Sequence, residues 1–281
     1  MREFVHPIVV GYDGSADSER AVDWAVMASQ LRNCPIRLVA VIEGDTDPDW
    51  LPDRVEKARQ RALEGLRPAA DIELPATVMK PRSEPTTHAL LRLASDAQLI
   101  VLGAHGHGVV DGALIGSVSQ HLARHAECPV VVAREAHDPS ARRIVAGFDG
   151  SPESQPAVAF GFEMARDTKA PLTVIHGWRY NWDGTVGLYM PLGPDIPEHV
   201  ESERAALRDA MTEWCEKYPE VHVELSAVPV HPIRVLTDAS DHAAMVVVGS
   251  RGRGAFTGLL LGSVSNNCVH HAHCPVVVVR R

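Results

Sequence analysis

Residues 103–134 and 249–280 align without a gap and agree at 17 of 32 positions, so the chain is two copies of one unit. Each aligned block opens on Gly-x2-Gly, runs nine residues and closes on Gly-Ser. The first is Gly103-Ala104-His105-Gly106 with Gly116-Ser117, the second Gly249-Ser250-Arg251-Gly252 with Gly262-Ser263. An unbroken apolar run, Leu99-Ile100-Val101-Leu102 or Met245-Val246-Val247-Val248, precedes each block, and a helical pattern follows. Glycines at a strand-to-helix junction let the backbone turn with positive φ and approach a ligand closely. Free N–H groups at the helix start then favour an anion, most often phosphate. Two phosphate sites are the first expectation.

The start of the unit repeats too. Ile8-Val9-Val10-Gly11-Tyr12-Asp13-Gly14-Ser15 matches Ile144-Val145-Ala146-Gly147-Phe148-Asp149-Gly150-Ser151. The copies are offset by 136 residues here and by 146 at the glycine loop, so the second carries about ten extra residues. They fall in 178–198, a Trp/Tyr/Gly/Pro-rich stretch with loop punctuation. Units of this length are domains rather than solenoid repeats. The expected division is 1–138 and 139–281, inside the segment Ala136–Ala141.

Within unit one, strand and helix alternate: strand 4–10, helix 16–31 capped by Ser15, strand 36–42, helix 51–67, strand 72–79, helix 84–95, strand 98–102, a helix from 116, strand 129–133. Unit two repeats the order, with Ser151-Pro152 read as N-cap and first-turn proline. Strands such as Val130-Val131-Val132 and Val276-Val277-Val278-Val279 show no polar alternation, which suits a parallel sheet covered on both faces. The fold class is α/β: two tandem, doubly wound, Rossmann-like parallel-sheet domains. Ligands in such sheets bind beyond the carboxyl ends of the strands, at the switch point. Asp13 and Gly103 are expected to face each other there, as are Asp149 and Gly249.

Charge and composition narrow the function. A net charge of −9 speaks against a nucleic-acid surface, which demands clustered Lys and Arg. No apolar run reaches the ~18 residues of a membrane span. The N-terminus shows no basic-then-apolar leader, and five cysteines, an odd number, fit reduced thiols. A cytoplasmic location is expected.

These motifs resemble the universal stress protein family in its tandem form, whose ATP-binding members carry Gly-x2-Gly-x9-Gly-(Ser/Thr). The Val-Gly-x-Asp-Gly-Ser strand end and the closing Cys-Pro-Val-Val-Val strand are similar as well. The resemblance implies that Gly103, Gly106, Gly116 and Ser117 enclose ATP phosphates, with Ser119 near the terminal one. Gly249, Gly252, Gly262, Ser263 and Ser265 would do the same in unit two. It also implies that Asp13 and Asp149 contact the nucleoside or help hold Mg2+, and that Val41, whose aligned counterpart is Gly177, offers backbone groups to adenine. A homodimer is implied, through pairing of the edge strand Val276–Val279 with another chain.

The loops differ in charge. Unit two has Arg251 and Arg253 where unit one has His105 and His107, and Asp111 of unit one stands against Thr257. Tighter nucleotide binding by unit two is therefore expected. The run Cys268-Val269-His270-His271-Ala272-His273-Cys274 is read as structural rather than as a metal site, and His176 as a satisfied core residue. The segment Trp178–Trp182 with Met190 is either a lid over site two or loop packing. No catalytic constellation stands out. The expectation is an ATP-binding regulator of an unidentified protein partner in the stress response. Slow ATP hydrolysis or nucleotidyl transfer, or a nucleotide-independent scaffold, are the alternatives.

Overall fold

The structure is a computed structural model, which describes residues 6–41, 50–65, 76–79, 84–106, 115–178, 196–253 and 260–280. Unit one runs β1 (Ile8–Gly11), α1 (Ala16–Arg32), β2 (Ile36–Val41), α2 (Trp50–Gly65), β3 (Ala76–Met79), α3 (Thr86–Ala94), β4 (Leu99–Gly103), α4 (Ser117–His125) and β5 (Val130–Ala133). Unit two runs β6 (Ile144–Gly147), α5 (Gln155–Thr168), β7 (Leu172–Gly177), α6 (Ile196–Lys217), β8 (Val223–Val228), α7 (Pro232–Ser240), β9 (Met245–Gly249), α8 (Ser263–His271) and β10 (Val276–Val279).

All ten strands form one sheet in the order β3-β2-β1-β4-β5-β10-β9-β6-β7-β8. Pairing is parallel within each unit, and the units join where β10 meets β5 antiparallel, Val277 opposite Val131. Within a strand, neighbouring residues serve different cores. Ile8, Val10, Leu99, Val101, Val131 and Val277 pack under α1, α2, α5 and α6; Val9, Ile100, Leu102, Val132 and Val278 pack under α3, α4, α7 and α8. Both faces are covered along the central strands, which carry no polar alternation, whereas the edge strand β8 alternates Val223, Glu224, Leu225 and Ser226 with Glu224 exposed.

Two expectations are corrected. Val276–Val279 is not an edge open to another chain, because β9 takes one side and β5 of the same chain takes the other. Ser151-Pro152 does not start a helix. Helix α5 begins at Gln155 with Ser154 at the N-cap and Pro156 in the first turn, and the Ser151 hydroxyl donates to Asp149 Oδ1 instead. Proline's fixed φ fits either first-turn position, and the later one wins because the Asp149 turn consumes Ser151. In unit one Ser15 does cap α1, accepting from the Ser18 amide.

Helix α6 follows the insertion and is fixed by a ring stack: Phe162 of α5 lies 5.7 Å from Trp214 and 5.5 Å from Tyr218. Aromatic pairs at this spacing add ~0.5–1.5 kcal/mol beyond area burial. That stack anchors the C-terminal end of α6, whereas its first half meets the end of β7 through Glu203, 3.3 Å from His176 Nε2, and through His199, whose ring lies edge-on to Trp178 at 6.0 Å.

Candidate functional site

Strand β1 and its neighbour β4 end on the same side of the sheet, and the crossovers leaving them diverge onto opposite faces. The gap between them is the switch point. In unit one the turn after β1 is pinned to the glycine loop: Ser15 Oγ donates to the His105 carbonyl at 3.1 Å, and the His105 amide and ring bond to Asp17 Oδ2 at 3.0 and 2.8 Å. A Cβ on Gly103 would sit 2.7 Å from the Asp17 carbonyl carbon, so only glycine admits the turn this close. Asp13 Oδ2 lies against Gly106, and its Oδ1 accepts from the Ser15 amide at 2.9 Å.

Unit two repeats the plan with different chemistry. Asp149 Oδ1 accepts from the Ser151 amide and hydroxyl at 2.9 and 2.5 Å, and Oδ2 from the Arg253 amide at 2.8 Å. Burial works to raise this carboxyl, but those hydrogen bonds outweigh it and hold it below the ordinary carboxylate value. Asp149 is therefore an anion that organises its own loop. Gly249 packs against the Glu153 carbonyl oxygen, as Gly103 packs against Asp17.

Each loop closes on itself before the helix starts. The Gly116 amide donates to the Ala104 carbonyl and the Gly262 amide to the Ser250 carbonyl, both at 2.7 Å. Gly116 and Gly262 are the N-caps of α4 and α8 and make no side-chain cap bond. The first-turn N–H groups, which include those of Ser117 and Ser263, thus keep their donors for another acceptor. Ser119 and Ser265 are buried, and their hydroxyls donate to the Gly103 and Gly249 carbonyls. They tie helix to strand end, and that donor is already spent.

A cavity of about 550 Å³ opens at this end of unit two, bounded by Asp149, Gly177, Arg251, Gly252, Arg253 and Gly262–Ser265. This is within the range of small-molecule sites, ~300–1,000 Å³. Its far wall is a flat pair, with His176 stacked on Trp178 at 5.5 Å. His176 is buried and satisfied, its Nδ1 2.9 Å from the Phe148 carbonyl and its Nε2 3.3 Å from Glu203. It is a structural residue that also lines the cavity. Trp178 Nε1 is buried with no hydrogen-bond partner among the described residues.

Val41 and Gly177 end the equivalent strands β2 and β7, and Gly177 lines the cavity. Of the loop-charge residues, Arg251 and Arg253 line the cavity, whereas His107, Asp111 and Thr257 lie outside the described residues, as do residues 179–182 and Met190. The Cys–His run is dispersed. Cys268 and Cys274 are buried thiols pushed up to about 12 by burial, and His270 turns to Gln120 across the unit junction. Asp17, Glu203 and His231 were not singled out from the sequence. Asp17 was legible as the acidic first-turn residue of α1, whereas Glu203 and His231 reach the cavity only through tertiary packing.

Switch-point glycine loops in two doubly wound halves of one sheet define a tandem α/β protein. The sequence model of the universal stress protein family matches residues 5–134 and again 140–280, and the chain belongs to that family. A universal stress protein of Mycobacterium tuberculosis is 33% identical over 98% of this chain and 97% of its own length. A solved universal stress protein from Archaeoglobus fulgidus shares the fold, with a TM-score of 0.66 at 19% identity over 98% of this chain and 96% of its own. A shorter solved member, matching 46% of this chain and 96% of its own at 30% identity and a TM-score of 0.36, is described in complex with cAMP. Among the described residues no helix is long and apolar enough to cross a membrane.

Proposed function

We propose that the chain binds ATP with Mg2+, one site per unit, and that occupancy regulates a protein partner in the stress response. The observation that supports this most is the unit-two cavity, where an uncapped helix start and two arginines face a flat His176–Trp178 wall. Phosphates suit the first end, through the amides of Gly262–Ser265, the loop of Gly249–Gly252 and the cations of Arg251 and Arg253. A nucleobase suits the second, beside the backbone of Gly177.

Asp149, ionised and adjacent, supplies hard oxygen of the kind Mg2+ takes together with phosphate oxygens. Gly103, Gly106, Gly116, Ser117, Asp13 and Val41 take the matching places in unit one. Ser119 and Ser265 serve as braces behind the phosphates. The domains divide at 138/139, and the protein works in the cytoplasm. Homodimerisation uses a surface other than β10.

The test is to denature the purified protein, identify released nucleotide, and titrate the emptied protein with Mg-ATP. A double variant, Arg251→Ser with Arg253→Ser, should bind at least about tenfold more weakly, a loss of roughly 1.4 kcal/mol. No released nucleotide and no uptake of Mg-ATP would refute the reading.

A further inference from the structure

The segment after β5 crosses from unit one to unit two, and it is held there by its own residues. Arg134 donates to the Ala272 carbonyl at 2.7 Å and to that of Val269. Three residues on, the His137 amide donates to the His273 carbonyl at 2.8 Å. The His273 amide in turn donates to Ser240 Oγ at 2.9 Å, and the buried Ser240 hydroxyl donates to the Thr237 carbonyl at 2.5 Å. The backbones of His137, His273 and the end of α7 are therefore fixed relative to one another before any side chain is considered.

On this frame three ligand-type side chains converge. His137 Nδ1 lies 2.9 Å from Asp241 Oδ1, His273 Nε2 lies 3.9 Å from the same oxygen, and the three ligand atoms all fall within 4.8 Å of one another. Zinc bonds of ~2.0–2.2 Å to nitrogen or carboxylate oxygen set ligand atoms about 3.3 Å apart around a tetrahedron. The difference is within rotamer adjustment of side chains that are 70% (His137), 37% (Asp241) and 49% (His273) exposed. Neutral imidazoles with one carboxylate match the donor set of zinc and its neighbours, not that of Mg2+.

Access is also built in. His137 and His273 line a groove of about 520 Å³ between the units, which leaves room for water or an exchangeable ligand at the remaining position. A second pair, His242 Nδ1 and Asp138 Oδ2 at 3.8 Å, stands beside the first, each residue next in sequence to a member of the triad.

We infer that His137, Asp241 and His273 form a site for a divalent transition ion of the zinc class, which straps the inter-unit segment onto unit two. The ion replaces the hydrogen bond between His137 and Asp241: the neutral His137 ring carries its one proton on Nε2, the Nδ1 proton passing to solvent as Nε2 takes one up, so that Nδ1 and an Asp241 oxygen both turn lone pairs to the metal. Of the Cys–His run, only His273 takes part.

The experiment uses the full, untagged chain stripped with a chelator and titrated with Zn2+ against a chromophoric competitor at pH 7.5. Thermal melting is followed in parallel. Wild type should take up one strong equivalent and melt higher with Zn2+. His137→Ala, His273→Ala and Asp241→Asn should each lose that equivalent and the melting shift, a weakening beyond the ~10–100-fold of a lost outer partner. His271→Ala, an exposed histidine of the same run, should keep both. Far-UV circular dichroism of the apo variants checks folding, and the high exposure of His137 makes its truncation mild. No stoichiometric Zn2+ in wild type, or undiminished uptake by His137→Ala and His273→Ala, would overturn the inference.

Discussion

Replacing Gly262 by aspartate separates anion binding from folding, which most site mutations cannot do. Gly262 has φ −68° and ψ 157°, ordinary N-cap geometry, and a Cβ there would meet nothing closer than 3.4 Å. An aspartate can enter without strain, and its carboxylate would accept from the first-turn amides now left uncapped. Glycine already costs only a few tenths of a kcal/mol relative to a good cap, and a negative charge at the helix start adds ~0.3–1 kcal/mol, so Gly262→Asp should stabilise by about 0.5–1 kcal/mol. In a chain this size that is a melting rise of ~1–4 °C. The same carboxylate occupies the donors a phosphate would use and repels it. Two unit charges 4 Å apart near a protein surface repel by ~4 kcal/mol, and a third of that is already a tenfold loss. Calorimetric titration with Mg-ATP, beside differential scanning calorimetry without it, reads both effects. Higher stability with undiminished ATP affinity would refute the reasoning, because the phosphates would then not sit at the start of α8.

Gly116→Asp should do the same in unit one, and the tighter of two resolved Mg-ATP sites should be lost in Gly262→Asp, not in Gly116→Asp, since the two loop arginines lie in unit two. Gly150→Ala should cost about 1–2 kcal/mol of stability, measured by urea unfolding, because Gly150 has φ +76° and the Arg253 guanidinium rests against it. His121 should make the protein acid-sensitive. Burial first, then His125, His88 and Arg124, hold its pKa below the ordinary histidine value. The folded state thus resists protonation: stability is full above about pH 6.5 and falls as pH drops through that value towards the depressed folded one. Melting temperatures from pH 8 to 5 should drop less in His121→Gln than in wild type.

What was legible in the sequence was whatever the repeat made redundant. β4 and β9 stand out as apolar runs ahead of the same glycine spacing, and α1 starts where Ser15 offers a cap. The start of α5 was misread because Ser151-Pro152 and Ser154 with Pro156 are equally good local signals; the choice rests on Asp149 drawing the Ser151 hydroxyl away. The role of Ser119 and Ser265 was not readable at all, since a serine two residues into a helix looks the same whether it faces a ligand or the carbonyl of a strand 16 residues earlier. The triad of His137, Asp241 and His273 was equally hidden. Its members lie 104 and 32 residues apart in sequence and meet only because α7 and the turn before β10 end together.

The β5–β10 junction explains why two copies in one chain need not remain two equal sites. The strand order reads the same outward from that junction in both directions, so the units are related as the halves of a twofold dimer would be. In a dimer of identical chains any change to one loop is made in both. Here the arginines of one loop and the histidines of the other coexist, and the 134–143 segment exists once. That segment is also the only described covalent path between the units, and its Arg134 and His137 contacts are made to unit two. A ligand that tightens this path is bound to residues of both units, so it bears on their relative motion through differential affinity for the strapped and released states. The groove beside it is lined by Asp17 and His105 of one unit and by Ala272 and His273 of the other, so a ligand held there touches both halves.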